Sequence, residues 1–307
     1  MPELNKWEPY ELQYISILKD IFKNGFRQLN ERTHVETLRI PHAIITVDLS
    51  EEFPILKSKF VNWKVAAKEI LWIMQKQSNN INDLDAKIWD DWADEDGSIG
   101  KSYGYQASKS VVIDGVWYKS QVHYILDKLS SDSSNRRCVI DLWNVDDLSD
   151  MNLVPCCYSS IWNIIDGKLN CMLVQRSADF LVGVPFDTTQ YAILTYLFAR
   201  HLGVEPGILT HVMSDCHIYC YDSHITGGQK MIQNFKRFDE LNELSPDHLK
   251  EIASHGVDFL EKEIQVSENN PRIVFNSSET NFFSVSMDDF TIENYHYMEK
   301  LKFDVAK

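Results

Sequence analysis

The chain has 307 residues, 44% of them hydrophobic and 24% charged, enough to bury a sizeable core in one large domain or two small ones. Its 30 basic and 45 acidic residues give a formal charge of -15, which argues against a polynucleotide partner, because such binding rests on neutralising many phosphates. Six cysteines without a CxxC pair are too sparse for a disulfide scaffold, so reduced thiols in a cytoplasm are expected.

The start, Met1-Pro2-Glu3-Leu4, shows no basic run followed by an apolar core, and no targeting signal is expected. "WKVAAKEILWIMQ" carries apolar residues at helical spacing and predicts a helix over Trp63–Gln75. Lys68 and Glu69 interrupt this most apolar stretch, which excludes it as a membrane span. Glu69 is the telling residue: its neighbours three and four positions away are Val65, Ala66, Trp72 and Ile73, so its carboxyl lies on the apolar face. Burial there would raise its pKa towards a range useful for proton transfer.

Further on, "SSNRRCVIDLW" sets Arg136 and Arg137 side by side before a β-rich run. Adjacent strand residues point to opposite faces, so both can serve one anion only if the strand has not begun or if subunits share the site. Solvated surface charge is the blander fate of either arginine. In "LVPCCYSSIW", Pro155 fixes the backbone before Cys156 and strand signals flank it. Free cysteines are usually small buried hydrophobes, whereas a nucleophile needs a lowered pKa, for which Arg32, Arg136, Arg137 and Arg176 compete as sources.

"IIDGKLN" reads as a hairpin turn between this strand and a second, "LNCMLVQRS", which ends on Arg176 and Ser177. "DTTQYAILTYLFARHLG" predicts a second long helix closed by Gly203, with Asp187 and Gln190 in a capping-box pattern. "HVMSDCHIYCYDSH" concentrates histidine and cysteine but fits no common zinc spacing, and no metal is expected. His217 and Tyr219, two apart on a strand, would share a face and could both donate to a sugar hydroxyl. The charged stretch from about 235 to 270 reads as a surface insertion in a single domain spanning 1–307. Strands and helices mix without regular alternation, which favours α+β over a doubly wound sheet.

Five ordered segments, "KEILWIM", "IWDDWADEDGSIGKSYG", "SSNRRCVIDLWNVDDLSDMNLVPCC", "QRSADFLVGVPF" and "SDCHIY", together resemble the thymidylate synthase family. The tail "DDFTIENYHYMEKLKFDVAK" is similar to that of the Bacillus type. The resemblance implies the family's fold, a mixed β-sheet with flanking helices, dimerised through the sheet. It implies that Cys156 adds to carbon 6 of a pyrimidine nucleotide, so that carbon 5 attacks the methylene of 5,10-methylenetetrahydrofolate, the co-substrate.

By the same resemblance Arg32, Arg176 and Ser177 match phosphate ligands, and Arg136 with Arg137 match the pair lent by the other subunit of a homodimer. Glu69 matches the carboxylate that organises water and proton transfers, and His217 with Tyr219 match the pair that holds the sugar 3'-hydroxyl. Lys59, Trp89, Trp92, Asp179, Gly183 and Tyr295 fall where the family contacts folate or closes over it, Asp179 also beside the nucleotide. Cys157 stands where relatives carry His or Val and is assigned no chemistry.

Two departures bear on substrate and product. Family members that act on deoxyuridylate carry Asn at the position of Asp187, where a carboxamide accepts from the ring N–H and donates to the 4-carbonyl. A protonated Asp187 would instead donate to cytosine nitrogen 3 and accept from its 4-amino group, as in the related deoxycytidylate hydroxymethylases of phages. Ile161 replaces a usual Gln and the chain ends in Lys307 where the Bacillus type ends in Val, which suggests a looser seal that admits water. "HIYCYDSH" also lacks the family's usual His soon after the Tyr.

The expectation is therefore a cytoplasmic dCMP hydroxymethylase of a phage-infected bacterium, with no nucleic-acid or membrane partner. The alternatives are a dCMP or dUMP methylase, a dUMP hydroxymethylase, or a catalytically silent relative that binds nucleotide or RNA.

Overall fold

The computed structural model describes residues 7–242, 266 and 270–306. The first half runs α1 (Tyr10–Asn24), β1 (Phe26–Asn30), β2 (Val35–Asp48), α2 (Trp63–Leu71), α3 (Tyr103–Ser108), β3 (Val111–Ile113), β4 (Val116–Tyr118) and α4 (Gln121–Ser131). Then follow β5 (Val139–Asp141), β6 (Cys157–Ile165), β7 (Lys168–Gln175), β8 (Ala178–Asp179), α5 (Gly183–Leu202), β9 (Glu205–Tyr219), α6 (Asp222–Asn242), β10 (Arg272–Phe275) and β11 (Phe290–Glu293).

The main sheet has the order β1-β2-β9-β7-β6-β5, with β8 also paired to β9. β9 runs parallel to β7 and β8 and antiparallel to β2, so the sheet is mixed, as α+β predicts. Alternation along β7 buries Leu169, Cys171, Leu173 and Gln175 and turns Met172 outward. Helix α5 covers the inner face and is buried almost all round, the condition of a central helix. Around it Phe198 packs against Trp162 at 4.9 Å and Phe282 at 4.7 Å between ring centres.

Several predicted boundaries shift for local reasons. The helix expected over Trp63–Gln75 ends as α-helix at Leu71; Trp72–Lys76 is a widened π turn, closed by Gln77 in the left-handed region at φ 57°. The turn in "IIDGKLN" forms as expected, with Asp166 at φ 52° and Gly167 at φ 72°, the double positive φ of a hairpin turn whose twist matches its strands.

The capping-box reading of Asp187 is overturned. Helix α5 opens four residues earlier, at Gly183, with Val182 at its cap and no side-chain cap bond. Pro185 is tolerated because first-turn N–H groups lack helical partners anyway. Asp187 thus lies a turn inside the helix. Of the proposed surface insertion, residues 235–242 complete α6, with Phe235 buried, and Val266 is also buried. Residues 243–265 and 267–269 lie outside the described residues.

Candidate active site

Where the C-terminal end of β7, the start of α5 and the end of β9 converge, a cavity of about 340 Å³ opens. Arg32, Glu69, Cys156, Gln175, Ser177, Asp179, Gly183, Asp187, His217 and Tyr219 line it. Ile88, Trp89, Trp92, Leu153 and Phe186 add an apolar and aromatic wall.

Cys156 immediately precedes β6 and is clamped by its backbone. Its N–H donates to the Tyr103 hydroxyl at 2.8 Å, and its carbonyl accepts from the Arg176 N–H at 2.9 Å. The Arg176 guanidinium donates to the carbonyls of Val154 and Pro155 and lies over the Trp143 ring, with Nη2 4.0 Å from the Cys156 sulfur. Burial pushes the thiol pKa up while Arg176 and Arg32 pull it down, and burial wins. The activation expected from an arginine is present here but does not dominate.

Glu69 projects from α2 with both oxygens held: Trp89 Nε1 donates to Oε1 at 2.6 Å and Gln190 Nε2 donates to Oε2 at 2.5 Å. Burial nonetheless pushes it up to about 7. Asp187 receives a bond from Gln175 Nε2 to Oδ2 at 2.8 Å, and burial, then the charge of Glu69, push it up to about 7 as well. The Cys157 thiol lies beside Asp187.

Asp179 Oδ1 accepts from the N–H groups of Leu181 and Val182, shaping the turn into α5. His217 and Tyr219 stand edge to face, 5.2 Å between ring centres. Burial lowers the His217 pKa, but its bond to Asp215 and the charge of Asp179 outweigh this and raise it.

The cavity therefore gathers Cys156, Glu69, Asp187, Arg32, Ser177, Asp179, Gly183, His217, Tyr219, Trp89 and Trp92, with Arg176 at its edge. Besides Arg176, four predicted residues do not line it. Lys59 is buried, donates to the Leu181 carbonyl and lies 4.8 Å from the centre of the Phe303 ring; burial pushes its pKa down to about 8. The Tyr295 hydroxyl accepts from the Val61 N–H at 2.7 Å and donates to the Leu56 carbonyl at 3.0 Å. Arg136 and Arg137 are exposed and precede β5, so strand alternation does not separate them.

The argument from Ile161 needs correction. Ile161 is exposed on the outer face of the sheet, beside Arg136 and away from the cavity, so it has no bearing on how the site is sealed. Lys307 lies outside the described residues. Sequence reasoning also missed Gln175, Tyr103 and the contact of Cys157 with Asp187. Gln190 looked like half of a capping box, and only the position of α5 reveals that it serves Glu69. Among the described residues, no group of His, Cys, Asp and Glu could hold a metal ion, and no helix is long and apolar enough to cross a membrane.

Comparison with known proteins accounts for the arrangement. The family model described as Thymidylate synthase matches residues 12–307. The thymidylate synthase of Clostridium beijerinckii is 38% identical over 300 residues, covering 97% of this chain and 98% of the relative. That of Bacillus phage phi3T is 34% identical over 308 residues, covering 97% and 99%. The solved structure of thermostable thymidylate synthase A from Bacillus subtilis superposes with a TM-score of 0.81 at 34% identity, covering 98% of this chain and all of that one. With sequence and fold matched from end to end, this chain belongs to the thymidylate synthase family, folate-dependent enzymes that place a one-carbon unit on carbon 5 of a pyrimidine nucleotide.

Proposed function

We propose that the acceptor nucleotide is dCMP and that the product is 5-hydroxymethyl-dCMP. The observation that carries the choice of base is Asp187, a carboxyl on the cavity wall pushed up to about 7. In its protonated form it donates to cytosine nitrogen 3 and accepts from the 4-amino group; as a carboxylate it would repel the uracil 4-carbonyl. A mismatched buried pair costs roughly 1–3 kcal/mol, a tenfold or larger preference.

In this reading the Cys156 thiolate adds to carbon 6, beside the phosphate held by Arg32, Arg176 and Ser177. Methylenetetrahydrofolate supplies the one-carbon unit, and Trp89 and Trp92, set edge to face at 68° on the cavity wall, offer aromatic surface to its ring system. Carbon 5 then loses its proton to water as tetrahydrofolate is expelled, which leaves an exocyclic methylene. A second water attacks that methylene and passes a proton to Glu69, and expulsion of the Cys156 thiolate from carbon 6 restores the ring double bond. Two carboxyls near neutral pKa on one cavity wall support this water step.

A second reading is methylation of dUMP, and the naming of the relatives as thymidylate synthases favours it. Purified protein incubated separately with dCMP and dUMP, each with methylenetetrahydrofolate, decides between them by product mass. Faster turnover of dUMP would overturn the choice of base, and dihydrofolate with a methylated product would overturn hydroxymethylation. The similarity to a phage enzyme supports a phage-infected bacterium as the setting.

A homodimer belongs to the same proposal. Val139, Ile161 and Met172 align across β5, β6 and β7 as one exposed apolar row, with Ile44 and Ile165 also exposed on their strands. Such a face is normally covered. Docking a second copy there would also carry Arg136, which borders the groove at Ile161, towards the partner's phosphate site.

A further inference from the structure

From Asp187 a chain of hydrogen bonds runs through Gln175, which also lines the cavity, into His211 and Thr188, which do not. Gln175 Oε1 lies 2.7 Å from His211 Nε2, and His211 Nδ1 lies 3.0 Å from the Thr188 hydroxyl. Gln175, His211 and Thr188 are each almost wholly buried.

The proton positions in this chain follow from what each partner can do. The Ser177 carbonyl, 3.1 Å from Gln175 Nε2, can only accept. The amide nitrogen of Gln175 must therefore face Ser177 and Asp187, and its oxygen must face His211. A buried amide oxygen needs a donor, so His211 carries its hydrogen on Nε2. Burial keeps the ring neutral, which leaves Nδ1 bare and in need of a donor. The single hydroxyl hydrogen of Thr188 has two acceptors in reach, the Val184 carbonyl at 2.8 Å and Nδ1 at 3.0 Å; the carbonyl also receives the helical N–H of Thr188, so the hydrogen is assigned to the bare Nδ1.

We propose that His211 is a positioning residue for base recognition, which acts through Gln175 to keep an N–H on Asp187 Oδ2 and so leaves the carboxyl proton on the oxygen turned towards the base. Were the amide reversed, its oxygen would draw that proton away from the nucleotide, and Asp187 could no longer donate to cytosine. This rests on the dCMP reading, but the tautomer it requires does not.

The direct test is ring-nitrogen NMR of the full-length protein labelled in histidine. His211 should appear as the neutral form with hydrogen on Nε2, and hydrogen on Nδ1 would overturn the proposal whatever the substrate. The functional test compares kcat/KM for dCMP and dUMP in His211→Phe, which removes the donor, and in His211→Gln, whose amide can replace it. The Phe variant should lose about tenfold of the discrimination between the nucleotides, chiefly through KM, and the Gln variant should regain it. Equal losses for both nucleotides in a folded Phe variant would overturn the role.

If His211→Phe does not fold, Thr188→Val removes the same proton relay with less disturbance and is judged by the same ratio. Should the wild-type enzyme prefer dUMP, the dCMP reading falls alone; the role of His211 then stands or falls on whether the ratio still shifts.

Discussion

Glu69 and Asp187 line one cavity, and the charge of Glu69 is the second cause, after burial, that pushes Asp187 up to about 7. Neighbouring acids near neutrality titrate as a pair, so their protons belong to the site more than to either residue. One member should be ionised to accept a proton from water while the other stays protonated to read the base.

The pH dependence should show it. With dCMP, kcat/KM should fall on the alkaline side of about pH 7 as Asp187 loses its proton, and on the acid side as Glu69 gains one. In Asp187→Asn the alkaline limb assigned to Asp187 should vanish. A profile with that limb intact in the variant would assign it elsewhere.

The same substitution should invert substrate choice. An asparagine side chain cannot lose a proton and donates to a 4-carbonyl, so the dUMP-to-dCMP ratio of kcat/KM should rise about tenfold or more in Asp187→Asn. Steady-state kinetics on both nucleotides check it.

Stability should respond as well. Folding raises the Asp187 pKa from the ordinary carboxyl range to about 7, so its contribution is fully present below about pH 4 and is lost as pH rises through 7. The melting temperature of Asp187→Asn relative to wild type should therefore be higher at pH 8 than at pH 5. Equal differences at both pH values would mean that folding does not raise the Asp187 pKa above the ordinary carboxyl range.

Cys156→Ser should abolish the covalent adduct with a 5-fluoropyrimidine nucleotide and lower turnover by at least about a thousandfold, with folding intact. Adduct formation by the wild type, seen by intact mass, also separates an enzyme from a silent nucleotide-binding relative.

Arg136→Ala and Cys156→Ser, each inactive alone, should recover activity when subunits are exchanged by mild denaturation and renaturation. In a mixed dimer the arginine variant keeps its own sulfur and borrows Arg136 from its partner. No recovery from a confirmed mixed dimer would place each arginine in its own subunit's site.

Much of the site was legible because its chemistry is local. Glu69 on an apolar helix face and the His217–Tyr219 pair follow from periodicities of 3.6 and 2, Cys156 stands out by Pro155 and its flanking strand signals but takes its role only from the family resemblance, and all reach the cavity. What stayed hidden depends on where α5 begins. Residue pattern alone reads Asp187 and Gln190 as a capping box, and only the resemblance offers Asp187 another role; with Gly183 opening the helix, Asp187, Thr188 and Gln190 bond Gln175, His211 and Glu69 respectively. Ile161 misled for a related reason: strand alternation told which residues share a face, but not which face meets the ligand.

The Gln175 amide that bonds Asp187 through its nitrogen would serve the carbonyl oxygen of an asparagine equally well. The scaffold around position 187 therefore need not be rebuilt when the side chain changes. Codons for aspartate and asparagine differ at a single base, so on the proposed reading of Asp187 a lineage with this scaffold would stand one mutation from a different nucleotide diet.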